Sequence, residues 1–348
     1  MSEPTSRRAN PFAPVRPEWL AQRSEEILDA DIAIVDAHHH LWDRAECPYL
    51  MPDLLADAQS GHAVRGTIFV ECRARYRRDG DRAMRSLGET KFAAMAAAEA
   101  ARLTGSSHGL CAGIVAFIDL QEGGPAVEAL IDAHARAACG RLRGIRNISA
   151  WDPESVAAGG KGPAQGLLTS PAFREGFARL ASRELTFDAW MFHTQLAELR
   201  DLADAFPDTP IVLNHVGGPV DSGWNRTDRE GIFRGWSGAM RILASCPNVH
   251  VKLGGMGMPI FGFGFHDQPH PPSSQQLADA WRPYIETCVQ AFGPTRCMFE
   301  SNFPVDKCSC SYAILWNAFK RVTAGCSRQE RDQLFGGTAS TFYRLTSP

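Results

Sequence analysis

Ile34-Val35-Asp36-Ala37-His38-His39-His40-Leu41-Trp42-Asp43 is the stretch on which the reading of this chain turns. A short apolar lead runs into Asp36, His38 and His40 at alternate positions, then into an aromatic residue. Side chains two apart on an extended strand point to the same face. Asp36, His38 and His40 are therefore expected to line up together, with His39 on the other side. Two imidazoles projecting from a strand end can grip one divalent cation. The competing readings are three solvated histidines or the remnant of an expression tag. The run is internal and follows a strand-like apolar segment, which speaks against a tag.

Composition narrows the classes around that stretch. The chain has 348 residues, 44% hydrophobic and 22% charged, ordinary for a globular protein with a large buried core. This length suits two small domains or one large α/β barrel. A net charge of -3 argues against a general binder of nucleic acid or acidic membranes. No apolar run reaches membrane-spanning length. Arg7-Arg8 is not followed by an apolar stretch, so no Sec signal is expected. The 10 cysteines, several inside expected strands or helices, read as reduced thiols of a cytoplasmic protein.

The order of apolar runs points to an architecture. Residues 1–31 read as a flexible arm followed by a short helix from Pro17 to Leu28. From residue 32 to 348 one domain is expected. Its strands are the opening stretch, Val64–Cys72, Ala112–Ile118, Leu142–Ile148, Thr186–Phe192, Ile211–Asn214, Val249–Leu253 and Cys297–Phe299. Helical patterns separate them: Thr90–Leu103, Ala126–Ala138, Pro171–Ala181, Leu196–Ala205, Phe233–Ser245 and Leu277–Phe292, with Tyr312–Val322 and Gln329–Leu345 closing the chain. Pro48, Tyr49, Met51 and Pro52 mark a loop after strand one, and Gly159–Gly166 another. This alternation predicts an α/β fold, a closed parallel (β/α)8 TIM barrel. No GxGxxG or P-loop follows any strand, which weakens a nucleotide-binding alternative.

In such a barrel the active face lies at the carboxyl ends of the strands. There the sequence places His38, His40, Glu71, Arg73, Arg146, Asp188, His193, His215, Lys252, Glu300 and Asn302. Charged residues inside buried strands are costly unless paired, so a structural network could account for some of them. Asp188 reads better as a buried hydrogen-bonded carboxylate than as a catalyst. Lys252 is divided between an inward salt bridge and a substrate contact. His215 precedes Gly217-Gly218-Pro219, whose glycines are expected to let substrate or metal approach the backbone. His193 points outward by strand alternation unless the strand has already ended. Arg73 and Arg146 suggest a substrate carboxylate, which a guanidinium matches bidentately, whereas Arg77 and Arg78 read as solvated. The loop Gly254–Pro272, rich in Met and Phe, is expected to be a lid, a pocket wall or a contact with a neighbouring subunit.

These residues resemble the amidohydrolase superfamily, in its amidohydrolase-related (amidohydrolase 2) branch of TIM-barrel hydrolases. The likeness rests on Val35-Asp36-Ala37-His38-His39-His40-Leu41-Trp42, Gly144-Ile145-Arg146-Asn147, Ile211 to Pro219, Val249 to Gly255, Phe292 to Pro304, and Gly337-Thr338-Ala339. It implies that His38, His40 and His215 hold one divalent metal, zinc before others, although some lactonases of this branch work without one. It further implies a hydrolase that opens a small, carboxylate-bearing lactone, EC 3.1.1 in type. Glu71, Arg73, Arg146, His193 and Lys252 are then candidates for substrate binding. One position departs from the family. Where its members usually read Gly-Ser-Asp-Trp-Pro, this chain has Glu300-Ser301-Asn302-Phe303-Pro304. Asn302 has no basic oxygen with which to take a proton from water. Glu300 shares its strand face and could supply the carboxylate, with His215 as the other candidate base and Asn302 orienting substrate. A decarboxylase or isomerase of a carboxylated ring, and a barrel that only binds ligand, are the alternative readings. The expected partner is a small molecule, with a homo-oligomer allowed.

Overall fold

Eight parallel strands pair strictly in sequence order: β1 (Ala33–His39), β2 (Ala63–Val70), β3 (Gly113–Ala116), β4 (Leu142–Ile148), β5 (Thr186–Trp190), β6 (Ile211–Leu213), β7 (Val249–Leu253) and β8 (Cys297–Phe299). The structure is a computed structural model that describes residues 13–45, 47–105, 109–153, 162–220 and 228–345. Most of the expected flexible arm and residues 159–161 of the Gly159–Gly166 loop lie outside those residues. The ring closes just beyond β8. Asn302 donates its backbone N–H to His38 O at 2.8 Å, His40 donates to Phe303 O at 2.7 Å, and His39 bridges Phe303 in parallel. This is the (β/α)8 TIM barrel expected from the sequence.

Two layers of core hold it. Between sheet and helices lies one large apolar layer containing Phe69, Ile145, Phe187, Trp236 and Phe299. A smaller cluster of Val35, Ala37, Ile68, Val70, Val115, Val212 and Met298 packs with Phe342 and Tyr343 from the end of the chain. These strand residues alternate with the outer set, as the two-residue period of a strand requires.

The elements depart from expectation in three places. The helix expected over Pro17–Leu28 stops at Leu20. Beyond it Arg23 donates to Pro271 O, Leu28 N to Asn317 Oδ1, and Glu25 accepts from Ser274 N, so these groups are committed elsewhere. The loop expected around Pro52 contains a helix, Met51–Ala58, because Pro52 sits in its first turn and Asp53 reaches back to Leu50 N. The closing helix is broken into Arg328–Asp332, a π-turn Gln333–Gly337 and Thr338–Phe342.

β1 itself departs from expectation. Its pairing with β2 shifts register between Asp36 and His39. Asp36 consequently does not share the face of His38 and His40. It is fully buried against Tyr312 OH (3.0 Å) and Ser301 N (2.8 Å) and also accepts from His38 N (3.2 Å). His39 turns to Thr67 Oγ1 at 2.8 Å. A bulge re-aims side chains in this way. Asp36 therefore braces the backbone under the histidines.

Candidate active site

Where the barrel strands end, two imidazoles meet one carboxylate, with a third imidazole beside them. His38 Nδ1 is 2.9 Å from Glu300 Oε2, and His215 Nδ1 is 2.7 Å from Glu300 Oε1. The backbone N–H of His215 donates to the same Oε1 at 3.0 Å. His38 Nε2 lies 3.2 Å from His40 Nε2. His40 Nδ1 is 2.8 Å from Val70 O, and a carbonyl only accepts, so His40 carries its proton on Nδ1 and leaves Nε2 bare.

Cations flank this group. Lys252 Nζ is 3.4 Å from His38 Nδ1, and Arg146 Nη1 is 3.4 Å from His38 Nε2. Each is held by its own carboxylate. Arg146 Nε donates to Glu71 Oε1 at 2.9 Å, while its Nη2 donates to Glu71 O. Lys252 Nζ lies 2.6 Å from Asp188 Oδ2, and Asp188 also accepts from Tyr343 OH at 3.0 Å and Asn214 Nδ2 at 3.1 Å. Glu300 differs from both carboxylates: imidazoles and a backbone N–H are what contact it. Burial, reinforced by Lys252 and Arg146, pushes His38 well below the usual imidazole range. Burial and Arg146 do the same to His40. His215 is lowered by burial too, with Glu300 opposing. All three are neutral at neutral pH, the state in which imidazole binds a metal.

The donor set suits a divalent cation. Among the described residues, ligand atoms of His38, His215 and Glu300 lie within 4.8 Å of one another. Glu300 Oε2 is buried without a well-aligned hydrogen bond. Two neutral imidazoles and a carboxylate match the ligands of open zinc sites. This is a candidate divalent metal site. Compared with the trio expected from the sequence, Glu300 joins the group, while His40 adjoins it through the other nitrogen of His38.

The remaining candidates separate into those brought to this point and those left outside. Glu71, Arg146 and Lys252 line it. Asp188 is the buried hydrogen-bonded carboxylate that the sequence favoured. Arg73 is exposed on the loop after β2. His193 lies in a 3-10 turn after β5, its backbone N–H donating to Gly218 O at 3.0 Å. Asn302 turns its Nδ2 to Asp306 Oδ1 at 2.7 Å, and Asp306 Oδ2 accepts from Gly257 N at 2.7 Å. The glycines after His215 serve a purpose other than ligand approach. A Cβ on Gly218 would sit 2.5 Å from Met191 O, so Gly218 is required for packing against the end of β5. The glycines that open the site are Gly254 and Gly255. A Cβ there would lie 2.3 Å from Glu300 O and 2.4 Å from His215 Nδ1, respectively. Trp190, edge-on to His215 with ring centroids 4.6 Å apart, and Phe261 from the loop after β7, stacked on Trp190 at 6.5 Å, form an aromatic wall. Asp306 and Tyr343 carry no local signal that would have placed them here.

The amidohydrolase family model matches residues 35–345. The chain belongs to the amidohydrolase family. An uncharacterized protein of Sinorhizobium fredii, y4mH, is 34% identical to this amidohydrolase over 91% of its chain and 100% of the relative. An L-fucono-1,5-lactonase of Burkholderia multivorans is 27% identical over 90% of this chain and 97% of the lactonase. A zinc-bound amidohydrolase from the same organism superposes with a TM-score of 0.69 at 25% identity, covering 90% of this chain and 100% of that one. A 5-carboxyvanillate decarboxylase from Sphingomonas paucimobilis, at 13% identity and a TM-score of 0.55, shares the fold. This amidohydrolase is thus an enzyme of its superfamily. No helix among its described residues is long and apolar enough to cross a membrane, and all 10 cysteines are free.

Proposed function

We propose that this amidohydrolase opens a small lactone by attack of water at the carboxyl face of the barrel. The observation that carries the reading is Glu300, a buried carboxylate set against the two neutral imidazoles of His38 and His215. The lactonase relative, similar over nearly its whole length, supports the reaction class. The zinc in the Burkholderia neighbour supports zinc as the metal.

His38, His215 and Glu300 would hold the ion. When bound, it supplies Lewis-acid polarisation of the ester carbonyl and lowers the pKa of water. The chain's own groups do the rest. His40, whose Nδ1 donates to Val70 O, faces Nε2 of His38 with its own Nε2 and orients that ring, while Glu300 Oε2 serves as the acceptor for the water proton. Arg146 and Lys252, fixed by Glu71 and Asp188, place positive charge on both sides of His38, where oxyanion charge develops. With Nε and Nη2 of Arg146 committed to Glu71, its Nη1 is what remains to face substrate. Trp190 and Phe261 form one wall of this centre.

The test is hydrolysis of a lactone panel followed by proton release, with metal content measured on the same preparations. Turnover that falls with the metal in His38→Ala and Glu300→Gln supports the reading. A metal-bearing enzyme that binds lactones yet releases no acid would overturn it.

A further inference from the structure

The loop after β7 has little regular structure of its own. Between Gly254 and Pro272 it holds two 3-10 turns, Pro259–Phe261 and Phe265–Asp267. Gly262 and Gly264 stand between them at left-handed φ of 74 and 70, soft joints on either side of Phe263. Yet this loop carries Phe261, which stacks on Trp190, and Trp190 lies edge-on to His215. Its near end is fixed by the turn after β8. Gly257 N donates to Asp306 Oδ2 at 2.7 Å, and Gly257 O accepts from Ser309 Oγ at 2.6 Å.

Its far end is fixed by a segment that precedes residue 35, where the family match begins. Residues 16–25 run alongside the loop in step with it. Arg16 Nη2 donates to His266 O, Trp19 Nε1 to Gln268 O at 3.1 Å and Pro269 O at 3.2 Å, and Arg23 Nε to Pro271 O at 3.3 Å. Gln22 Oε1 lies 2.9 Å from His270 Nδ1, and Glu25 Oε1 accepts from Ser274 N at 2.8 Å. Side-chain donors thus take up the carbonyls of an irregular segment. Trp19 is the centre of this run, buried and capped by the Arg16 guanidinium 4.2 Å from its ring centroid. The run also reaches the near end of the loop. The Cys308 sulfur takes the Ala13 backbone N–H and lies 3.8 Å from Gly257 O.

We propose that residues 13–25 form a strap that sets the aromatic wall beside His215, with Trp19 as its positioning residue. Trp19 fixes Gln268 and Pro269, next to the turn that holds Phe265. Phe265 packs edge-on to Trp281 at 6.2 Å between centroids and stacks on Phe263 at 6.0 Å. Two residues before Phe263, Phe261 meets Trp190 and so the neighbourhood of His215. Loss of the Trp19 donor frees the loop end, while the barrel keeps its strand-to-strand bonds. Such local opening shows in the loop and the wall and leaves the strands protected. This holds for whatever substrate the site takes; only the kinetic readout below rests on the lactone reading.

Trp19→Phe keeps a ring and removes the donor, and Arg16→Met removes the exposed cap. In both variants the amides of residues 256–268 exchange roughly five- to ten-fold faster, the scale of one lost hydrogen bond, while β1 to β8 keep wild-type rates. Diethyl pyrocarbonate, which acylates neutral imidazole, modifies His215 faster by a similar factor. His134 is the control, held in the helix Gly124–Ala137 by Ser86 and Thr90, and its rate does not change. With δ-valerolactone, KM rises at least about three-fold and kcat stays within about two-fold, because His38, His215 and Glu300 keep their own contacts. Wild-type exchange in the loop, or His215 modified at the wild-type rate, overturns the proposal. So does faster modification of His215 and His134 together, the mark of a fold loosened throughout, and so does an unchanged KM. A wild type inert toward δ-valerolactone and the rest of the lactone panel counts against the lactone reading alone, and exchange and modification then decide the strap.

Discussion

Glu300 Oε1 lies 2.7 Å from Nδ1 of His215 and 3.0 Å from that residue's backbone nitrogen, so a side chain just past β8 fixes both the ring and the backbone of a residue just past β6. The turn so held is strained: His215 and Val216 have φ values of 54 and 46, rare for residues with a Cβ. Backbone of this kind persists where its surroundings over-determine it, and it clusters at functional sites. The same carboxylate also approaches His38 from β1. One residue thus joins three strands at the point where the chemistry is proposed.

Glu300→Gln keeps the shape and removes the charge. Divalent metal affinity is expected to fall by at least about a hundred-fold, beyond the ten- to hundred-fold found when only a hydrogen-bonding partner of a ligand is altered. Titration of metal-free protein with zinc, followed by competition with a chelator, reads it directly. Wild-type affinity in the variant would remove Glu300 from the metal site.

Gly255→Ala tests the close approach on the other side of His215. The added Cβ would lie 2.4 Å from Nδ1, and the residue has a φ of 71. Displacing His215 by an ångström is expected to cost on the order of a hundred-fold in kcat/KM. The strained backbone adds about 1–3 kcal/mol of destabilisation. Kinetics together with urea unfolding checks both, and full activity would show that the turn tolerates the shift.

Lys252→Met leaves Asp188 buried with Tyr343 and Asn214 but no cation. Breaking a buried pair from one side typically costs about 3–5 kcal/mol. The double change Lys252→Met with Asp188→Asn should recover part of this. If the single variant unfolds at the wild-type urea concentration, the pair is not structural in the sense argued here.

Stability should fall as acid is added below neutrality. His134, buried between Ser86 Oγ and Thr90 Oγ1, is lowered to about 4 by burial, with Arg77 adding to the effect. Between its unfolded value near 6.5 and about 4, the unfolded chain binds more protons than the folded one. Stability is therefore fully present above the unfolded value and declines as pH drops, by up to roughly 3 kcal/mol for this residue. Unfolding midpoints measured across that range should slope less in His134→Asn than in the wild type. Equal slopes would assign the acid sensitivity to other groups.

The barrel was legible because each strand is a short apolar run bounded by turn residues, and because helical patterns separate the runs. Leu142–Ile148, Val249–Leu253 and Cys297–Phe299 coincide with their expected bounds. Segments whose partners are distant were not legible. The stretch after Leu20 is held by Pro271, Ser274 and Asn317, more than two hundred residues away. Nothing local distinguishes it from a continuing helix.

The histidines of β1 show the same division. That His38 and His40 sit at a strand end, with His215 at another, follows from residue types and the two-residue period of a strand, which are local properties. Asp36 does not follow from them. The register shift before His39 arises from pairing with β2, and it turns Asp36 toward Tyr312 and the turn after β8. Closure of the barrel likewise brings Glu300 between His38 and His215 and turns Asn302 to Asp306. A strand's alternation is written in its own residues, but the neighbour that each side chain meets is set by register and ring closure. Only the assembled barrel determines those.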